Sequence, residues 1–596
     1  MAEEETGMNY KEFTIERDQM IIHTQGGICT NKRELIDSEI FQRIIDLYLE
    51  KLQREDSPII HKSGLANIQY TNRIDCVVAL MRDLNESLLD TIAEKHFFIH
   101  NPVSYSQRIG LHEFVEGLYD FWRYFDRYMV LHAMPGPSSF DQRPYRSFNA
   151  TIETLSHTVR AVYRDICENI TGAHPRVYRQ VSAGCNIGLI ALPVSTRVSP
   201  CYQAAITGIP HIRQVWITPP MIMDPPMNVR TGQFEQVSAN PINGIELNKA
   251  EWLCYPACVG TLTIFVYFHQ SFIGLGCALS NLFELASDDK IEQGPDALYF
   301  YGVPEGALKK FGKSQTVFYD DVQNEILIGA VPCNVEFGYF GYLKKMTLTL
   351  HNIIMMKRGR MPFHGAMVHI RLKTGKQATV LIIGDTATGK SESLEALRLL
   401  GKDSISEMRI IADDMGTLAV QQNGVVGYGT EIGAFIRLDD LQLGYAYDQI
   451  DRAIIMSPQK INARVVLPVT TYADVVLGYP IDIMLYANNY ERVNVDHPVL
   501  ARFDSPEAAI RVYREGAAMA KGTTTATGLV HSYFANIFGA TQFRSIHDPL
   551  ALCTFKAAYD HRIWVGEIRT QLGIKGCETE GPRIAAKALL ELIEKR

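Results

Sequence analysis

The sequence of 596 residues contains no uninterrupted apolar run of the roughly 20 residues that a bilayer span needs. Its most apolar stretch, residues 260–277, is broken by His269, Gln270 and Ser271. It reads as a β-branched and aromatic strand from Thr261 to Phe268 that turns into a buried segment. There is no CxxC pair: the 11 cysteines are scattered from Cys29 to Cys577, and their number is odd. That argues against a disulfide framework, and Cys254 and Cys258, with no second pair or histidines at ligand spacing, do not make a zinc motif. There is no strong bias of charge, since 58 Lys and Arg face 66 Asp and Glu for a net charge of -8, with the basic residues dispersed among acids. No basic stripe is left to grip nucleic-acid phosphates. Low-complexity tracts, internal repeats and coiled-coil heptads are also lacking. The opening MAEEETGMNYKEF is acidic and lacks the basic-then-apolar layout of a secretory signal, so a cytoplasmic location is expected, with neither membrane nor nucleic acid as partner.

What is present is the composition of a packed globular protein, 46% hydrophobic and 21% charged. The length exceeds one ordinary core and suggests two or three domains. Four segments beginning near residues 38, 74, 111 and 149 place apolar residues at three- and four-residue spacing and predict long helices, the third running through to His132. They form an expected helical N-terminal unit, residues 1–173, closed by Gly172 and Pro175. Beyond it the period shortens to strand-like runs such as CNIGLIALPV, QVWITPP and NEILIGAV, which predicts a mixed, sheet-centred domain over 174–335. From 336 to 596, strands such as ATVLIIG, MRIIA and IDIMLYA alternate with helices such as SESLEALRLL and GPRIAAKALLELIEK. The expected fold class is therefore mixed α/β, with a nucleotide-binding unit at the C-terminal end.

The strongest local signal is Gly384, Asp385, Thr386, Ala387, Thr388, Gly389, Lys390 and Ser391, which satisfies G-x-x-x-x-G-K-[ST] between an apolar strand and a helix. Backbone N–H groups of such a loop converge on phosphate oxygens, Lys390 sets its ammonium against the β- and γ-phosphates, and Ser391 can ligate Mg²⁺. The run Met408 to Ala412 reads as a strand ending in Asp413 and Asp414, where a phosphate-loop protein keeps its metal-orienting acid. Upstream lie His364 in MPFHGAMVHI and the doublet Lys344 and Lys345. Taken alone, a histidine before a strand is more often structural and a lysine pair more often a solvated face.

In order and spacing, Tyr339, Lys344, Lys345, His364, the phosphate loop and Asp413 with Asp414 resemble the phosphoenolpyruvate carboxykinases. The segments Asn462 to Pro468, around Arg464, and Phe534 to Ala540 extend the resemblance, which covers about residues 335–596. It implies a P-loop carboxykinase-like catalytic domain that converts oxaloacetate and a nucleoside triphosphate, ATP being the first expectation, to phosphoenolpyruvate and CO₂. It further implies Mn²⁺ held by Lys345, His364 and Asp414, and Mg²⁺ on Ser391. Lys344, Lys390 and Arg464 would neutralise phosphoryl oxygens and Tyr339 would line the carboxylate pocket. A substrate-binding arginine is also implied on the N-terminal side, for which Arg176 and Arg179 are the candidates.

The loop reads T-A-T-G-K-S followed by Glu392 where the family has S-G-T-G-K-T, and its form G-D-x-x-x-G-K-S-E, with an upstream His-Gly and a downstream Ala-Asp-Asp, is also that of HPr kinase/phosphorylase. Ala520, Lys521 and Thr525 echo the A-K-x-x-G-T stretch of the ATP-dependent members, but Ala526 and Thr527 stand where those carry Glu-Arg. A kinase for another small molecule or a protein serine, and a non-catalytic nucleotide-binding regulator, therefore remain beside the carboxykinase.

Overall fold

In the computed structural model, residues 11–133, 143–231, 234–312, 315–440, 447–520 and 528–596 are described, and they fold as a mixed α/β protein. Lys521, Thr525, Ala526 and Thr527 lie outside the described residues. Two compact units divide the chain: residues 1–193 with 212–218, and residues 194–211 with 219–596. No helix among the described residues is long and apolar enough to cross a membrane.

The first unit is built on the amphipathic helices that the periodicity predicts. Glu39–Arg54 starts at Ser38, whose side chain accepts from the Phe41 N–H, and buries Ile40, Ile44, Ile45, Tyr48, Leu49 and Leu52 along one face. The helices Tyr105–Tyr124 and Arg143–Thr171 pack on one another. The unit is not wholly helical. Strands Phe13–Glu16, Gln19–Thr24, Asp126–His132 and Ile187–Leu192 lie side by side, with Asp126–His132 in parallel register between Gln19–Thr24 and Ile187–Leu192. The predicted third helix therefore ends at Tyr124. The run Arg127 to Leu131 is buried residue by residue, and an apolar run buried on both faces carries no period that separates strand from helix. The predicted second helix also breaks, into Arg73–Glu86 and Leu89–Ile92, at the extended Ser87 and Leu88.

In the second unit one sheet runs in the order Trp252–Val259, Leu262–His269, Ala297–Val303, Ile326–Pro332, Val317–Asp321. The predicted strand at 261–268 is its second member and turns into the buried helix Ile273–Ala278. A second sheet positions the site. Met361–Leu372 pairs antiparallel with Gln377–Ile383, which continues in parallel to Ile483–Asn488 and Trp564–Arg569. Its side chains bury Val380, Ile382, Leu485 and Ile568 against Leu394 and Leu397 of the helix Lys390–Leu400 and Leu589 of Glu580–Lys595.

Met361–Leu372 serves two neighbours in turn. Residues 361–364 pair with 415–418, and residues 367–372 pair with 405–412. The strand forks at His364 and Gly365: the Gly365 N–H donates to the Asp414 carbonyl and the Gly384 N–H to the His364 carbonyl. A Cβ on Gly365 would come 2.4 Å from the Ile382 carbonyl oxygen, so only glycine lets the strands approach there.

Two buried histidines of this unit give it an expected acid sensitivity. Burial pulls His351, hydrogen-bonded to Asn352, and His547, set between Tyr533 and the Pro362 carbonyl, from 6.5 to about 4. The unfolded chain takes up these protons first as pH falls below about 6.5, so stability drops toward pH 4, by about 1.4 kcal/mol per pH unit per histidine at most. Glu431, raised to about 8, works in the opposite sense over this range, so the histidine contribution is read as a difference: the fall of the urea midpoint from pH 6.5 to 5 should be smaller in His351→Gln than in the unaltered chain. An unchanged pH dependence in that variant would contradict this account.

Candidate active site

The loop 384–389 joins the end of Gln377–Ile383 to the start of Lys390–Leu400, which is the setting a phosphate-binding loop requires. Its shape depends on small residues at defined places. Gly389 has φ 89°, and a Cβ there would lie 2.6 Å from Thr570. Ala387, at φ 61°, is held in the left-handed region while its carbonyl accepts from Asn489 Nδ2 at 3.0 Å. The Thr570 hydroxyl donates to the Thr388 carbonyl at 2.7 Å. Lys390 is buried, and its Nζ donates to the Gly384 and Asp385 carbonyls at 2.7 and 2.8 Å. Burial lowers its pKa although Asp414 and Asp385 pull the other way. Ser391 follows it in the first turn of the helix.

Asp414 is the hub. Its Oδ2 meets Lys344 Nζ at 2.6 Å and its Oδ1 meets His364 Nε2 at 2.8 Å. Burial works to raise this carboxyl, and Lys344 and His364 outweigh it, holding it well below the usual carboxylate range. His364 Nδ1 also hydrogen-bonds the Ala535 carbonyl. Both ring nitrogens thus face oxygens, Nδ1 the Ala535 carbonyl and Nε2 the Asp414 carboxylate, an arrangement in which His364 and Asp414 could hold a cation between them.

Lys345, next on the helix Phe340–Lys357, is set apart from Lys344 electrostatically. Burial, then the charges of Arg230, Lys344 and Arg464, pull it down to about 8 against the opposing charge of Asp414. A neutral amine, the only form of lysine that can bind a metal, is thereby made accessible. For Lys344, burial disfavours the charge but Asp414 and Glu431 more than restore it. Asp413 is buried, and its charge acts on Lys344 and Lys390.

Arg464 begins the strand Arg464–Pro468 and stacks its guanidinium over Phe435 at 5.4 Å. Its Nε is buried with no hydrogen-bond partner among the described residues. A buried guanidinium N–H without an acceptor is costly, and an anionic ligand would relieve it. Tyr339, the residue before Phe340–Lys357, packs on the same Phe435 ring at 5.9 Å.

Of the expected residues of the second unit, Lys344, His364 and Asp414 are in contact, Asp413 and Lys390 are tied to them through charge, Arg464 acts on Lys345 and shares the Phe435 ring with Tyr339 from a separate sheet, and Gly384 to Ser391 form the loop that leaves the fork. Arg176 and Arg179 belong to the first unit. They stand exposed on an irregular segment rather than at the start of a strand, because the ladder begins only at Ile187, where the apolar run does.

Arg230 and Glu431 were not singled out from the sequence, whereas the segment Phe534 to Ala540 was, though not the turn it makes. Arg230 has its pKa lowered by burial and is the strongest charged influence on Lys345. Glu431 is buried and is pushed up to about 8 by burial, with Asp414 and Asp413 adding to it. Phe538 lies under Lys345 Nζ at 5.1 Å, and the turn before it holds Phe534, Ala535 and Asn536 in the left-handed region at φ 46°, 59° and 66°. Three such residues in succession store about 1–3 kcal/mol each, strain that proteins retain where it aims a group, here the Ala535 carbonyl at His364. An acid inside the apolar run YGTEIGAFI was a readable sign of Glu431; Arg230, in a Pro- and Gly-flanked loop, offered none.

The basic side chains Arg230, Lys344, Lys345, Lys390 and Arg464 thus share this region with Asp385, Glu392, Asp413, Asp414 and Glu431. No protein-family model matches the chain, and no curated protein shows significant similarity to it.

Proposed function

We propose that the second unit is a phosphoenolpyruvate carboxykinase-type enzyme of the cytoplasm, transferring the γ-phosphoryl group of a nucleoside triphosphate to an enolate formed from oxaloacetate. The observation that carries the proposal is the cluster around Asp414. One carboxylate joins Lys344 and His364 directly and acts through its charge on Lys345 and Lys390, at the fork from which the loop 384–389 departs.

In this reading the C3–C4 bond of oxaloacetate breaks, CO₂ leaves, and the enolate oxygen attacks the γ-phosphorus while the bond to the β–γ bridging oxygen breaks. Catalysis then consists of positioning and charge stabilisation. Lys390 exchanges its contacts with the Gly384 and Asp385 carbonyls for phosphate oxygens, beside the N–H groups that open the helix Lys390–Leu400. Lys344 and Arg464 neutralise the migrating group, and the unpaired Nε of Arg464 gives it a donor to spare. Arg230 and Tyr339 hold the substrate carboxylate near Lys345. Lys345, His364 and Asp414 would hold Mn²⁺, and Ser391 would hold Mg²⁺. Such cations, when bound, supply Lewis-acid stabilisation of an enolate oxygen and of the β- and γ-phosphates.

The deciding experiment is incubation of the purified chain with oxaloacetate, Mn²⁺ and each of ATP, GTP and pyrophosphate, assayed for phosphoenolpyruvate. Formation with ATP is expected. Turnover of nucleotide with no phosphoenolpyruvate from any donor would hand the site to the kinase reading, for which the G-D-x-x-x-G-K-S-E form of the loop speaks.

A further inference from the structure

In the first unit the helices Tyr105–Tyr124 and Arg143–Thr171 run antiparallel, and three contacts fix their register. Arg108 hydrogen-bonds the Ile170 carbonyl, the Cys167 thiol donates to Glu116 Oε1 at 3.7 Å, and the rings of Tyr119 and Tyr163 stack at 3.9 Å with 9° between their planes. Residues 108, 116 and 119 ascend one helix as 170, 167 and 163 descend the other. His112 lies one turn before Glu116 on the same face, with its Nε2 3.8 Å from Glu116 Oε1. The imidazole, carboxylate and thiol ligand atoms all fall within 4.8 Å of one another.

We infer that His112, Glu116 and Cys167 form a site for a zinc-class divalent cation. Imidazole, carboxylate and thiolate are the ligands zinc takes, and ligand bonds of about 2.0–2.3 Å in a tetrahedron put ligand atoms about 3.3–3.7 Å apart. The pairs at 3.8 and 3.7 Å lie close to that spacing, and the third, His112 with Cys167, lies within 4.8 Å. Without metal, three groups crowd one oxygen: the Tyr163 hydroxyl donates to Glu116 Oε1 at 2.5 Å, the Cys167 thiol points at the same atom, and His112 stands at 3.8 Å. With metal, the thiol proton passes to solvent, the thiolate and carboxylate balance the cation, and Tyr163 remains as the outer partner that orients Glu116. The Tyr119–Tyr163 stack, one turn along, holds the two helices at this spacing. Three protein ligands leave a fourth position open, and the half-exposed setting of all three gives solvent access to it.

Cobalt(II) is the probe, because the cluster around Asp414 offers no thiol and only a thiolate gives an intense sulfur-to-cobalt charge-transfer band. Titration of the full chain with Co²⁺ should produce that band together with the visible absorption of tetrahedral cobalt, and Zn²⁺ should displace both. The band should vanish in Cys167→Ser and persist in His364→Ala. In His112→Ala the cobalt affinity should fall by at least about tenfold, the least that disturbing a ligand set costs. Far-ultraviolet circular dichroism and the cobalt-free melting temperature check that each variant is folded, and the half-exposed His112 serves as the second test should Cys167→Ser prove unstable. Absence of the band in the unaltered chain, or its survival undiminished in folded Cys167→Ser, would overturn the assignment.

Discussion

Lys390→Ala should lower phosphoryl transfer by at least about 10³-fold while leaving the protein folded. The residue opens the helix Lys390–Leu400 and is buried, and its ammonium donates to the carbonyls of the loop it closes, Gly384 and Asp385. Burial outweighs the favourable charges of Asp414, Asp385, Glu392 and Asp413, so its charge is held at a cost. Truncation removes that cost, and the helix gains a residue of higher propensity. In the proposed reaction, what is lost is the positive charge that would follow the γ-phosphate as negative charge spreads over its oxygens in the transition state. Turnover and the melting temperature, measured together, separate the two effects. Turnover within about tenfold of the unaltered enzyme, in a folded variant, would show that this loop does not hold the reacting phosphate.

The strand, loop and helix around Gly384 to Ser391 were legible because their pattern is local: eight consecutive residues, an apolar strand before them and an amphipathic helix after them carry the whole signal. Lys344, His364 and Asp414 were legible only as a spaced series. What joins His364 to Asp414 is the fork at Gly365, where one strand changes partners, and Lys344 reaches Asp414 from the helix Phe340–Lys357; pairing of residues 361–364 with 415–418 is a long-range event that no window of sequence contains. The same holds for Glu431 and Arg230, whose importance lies in what they do to Lys344 and Lys345. Fold class followed from the alternation of periods, while the strand Asp126–His132 did not, since burial on both faces removes the period itself. The cluster of His112, Glu116 and Cys167 shows both limits at once. The His-x-x-x-Glu spacing on a helix can be read directly, but the helix that brings the cysteine is set by the register of Tyr119 on Tyr163.

The second large effect is expected at Lys345, and it distinguishes a carboxykinase from a kinase for some other hydroxyl. Arginine at this position would keep a positive charge, fit the buried stem less well, and remain protonated where lysine is drawn down to about 8. It would also add a permanent cation beside Arg230, Lys344 and Arg464, three groups that already oppose charge there. Lys345→Arg should therefore cut phosphoenolpyruvate formation by at least about 10³-fold, while nucleotide binding, which depends on the loop Gly384 to Ser391, changes little. Arg464→Lys is the companion. It keeps the charge but removes the Nε donor and the planar face stacked on Phe435, so a loss of about 10²-fold is expected. A kinase that needs only the loop and its cation would tolerate Lys345→Arg. The measurements are phosphoenolpyruvate formation, nucleotide hydrolysis and nucleotide affinity for each variant beside the unaltered enzyme. Should Lys345→Arg retain full nucleotide turnover while the unaltered chain forms no phosphoenolpyruvate with any donor, the enolate chemistry falls and the loop belongs to a kinase with a different acceptor.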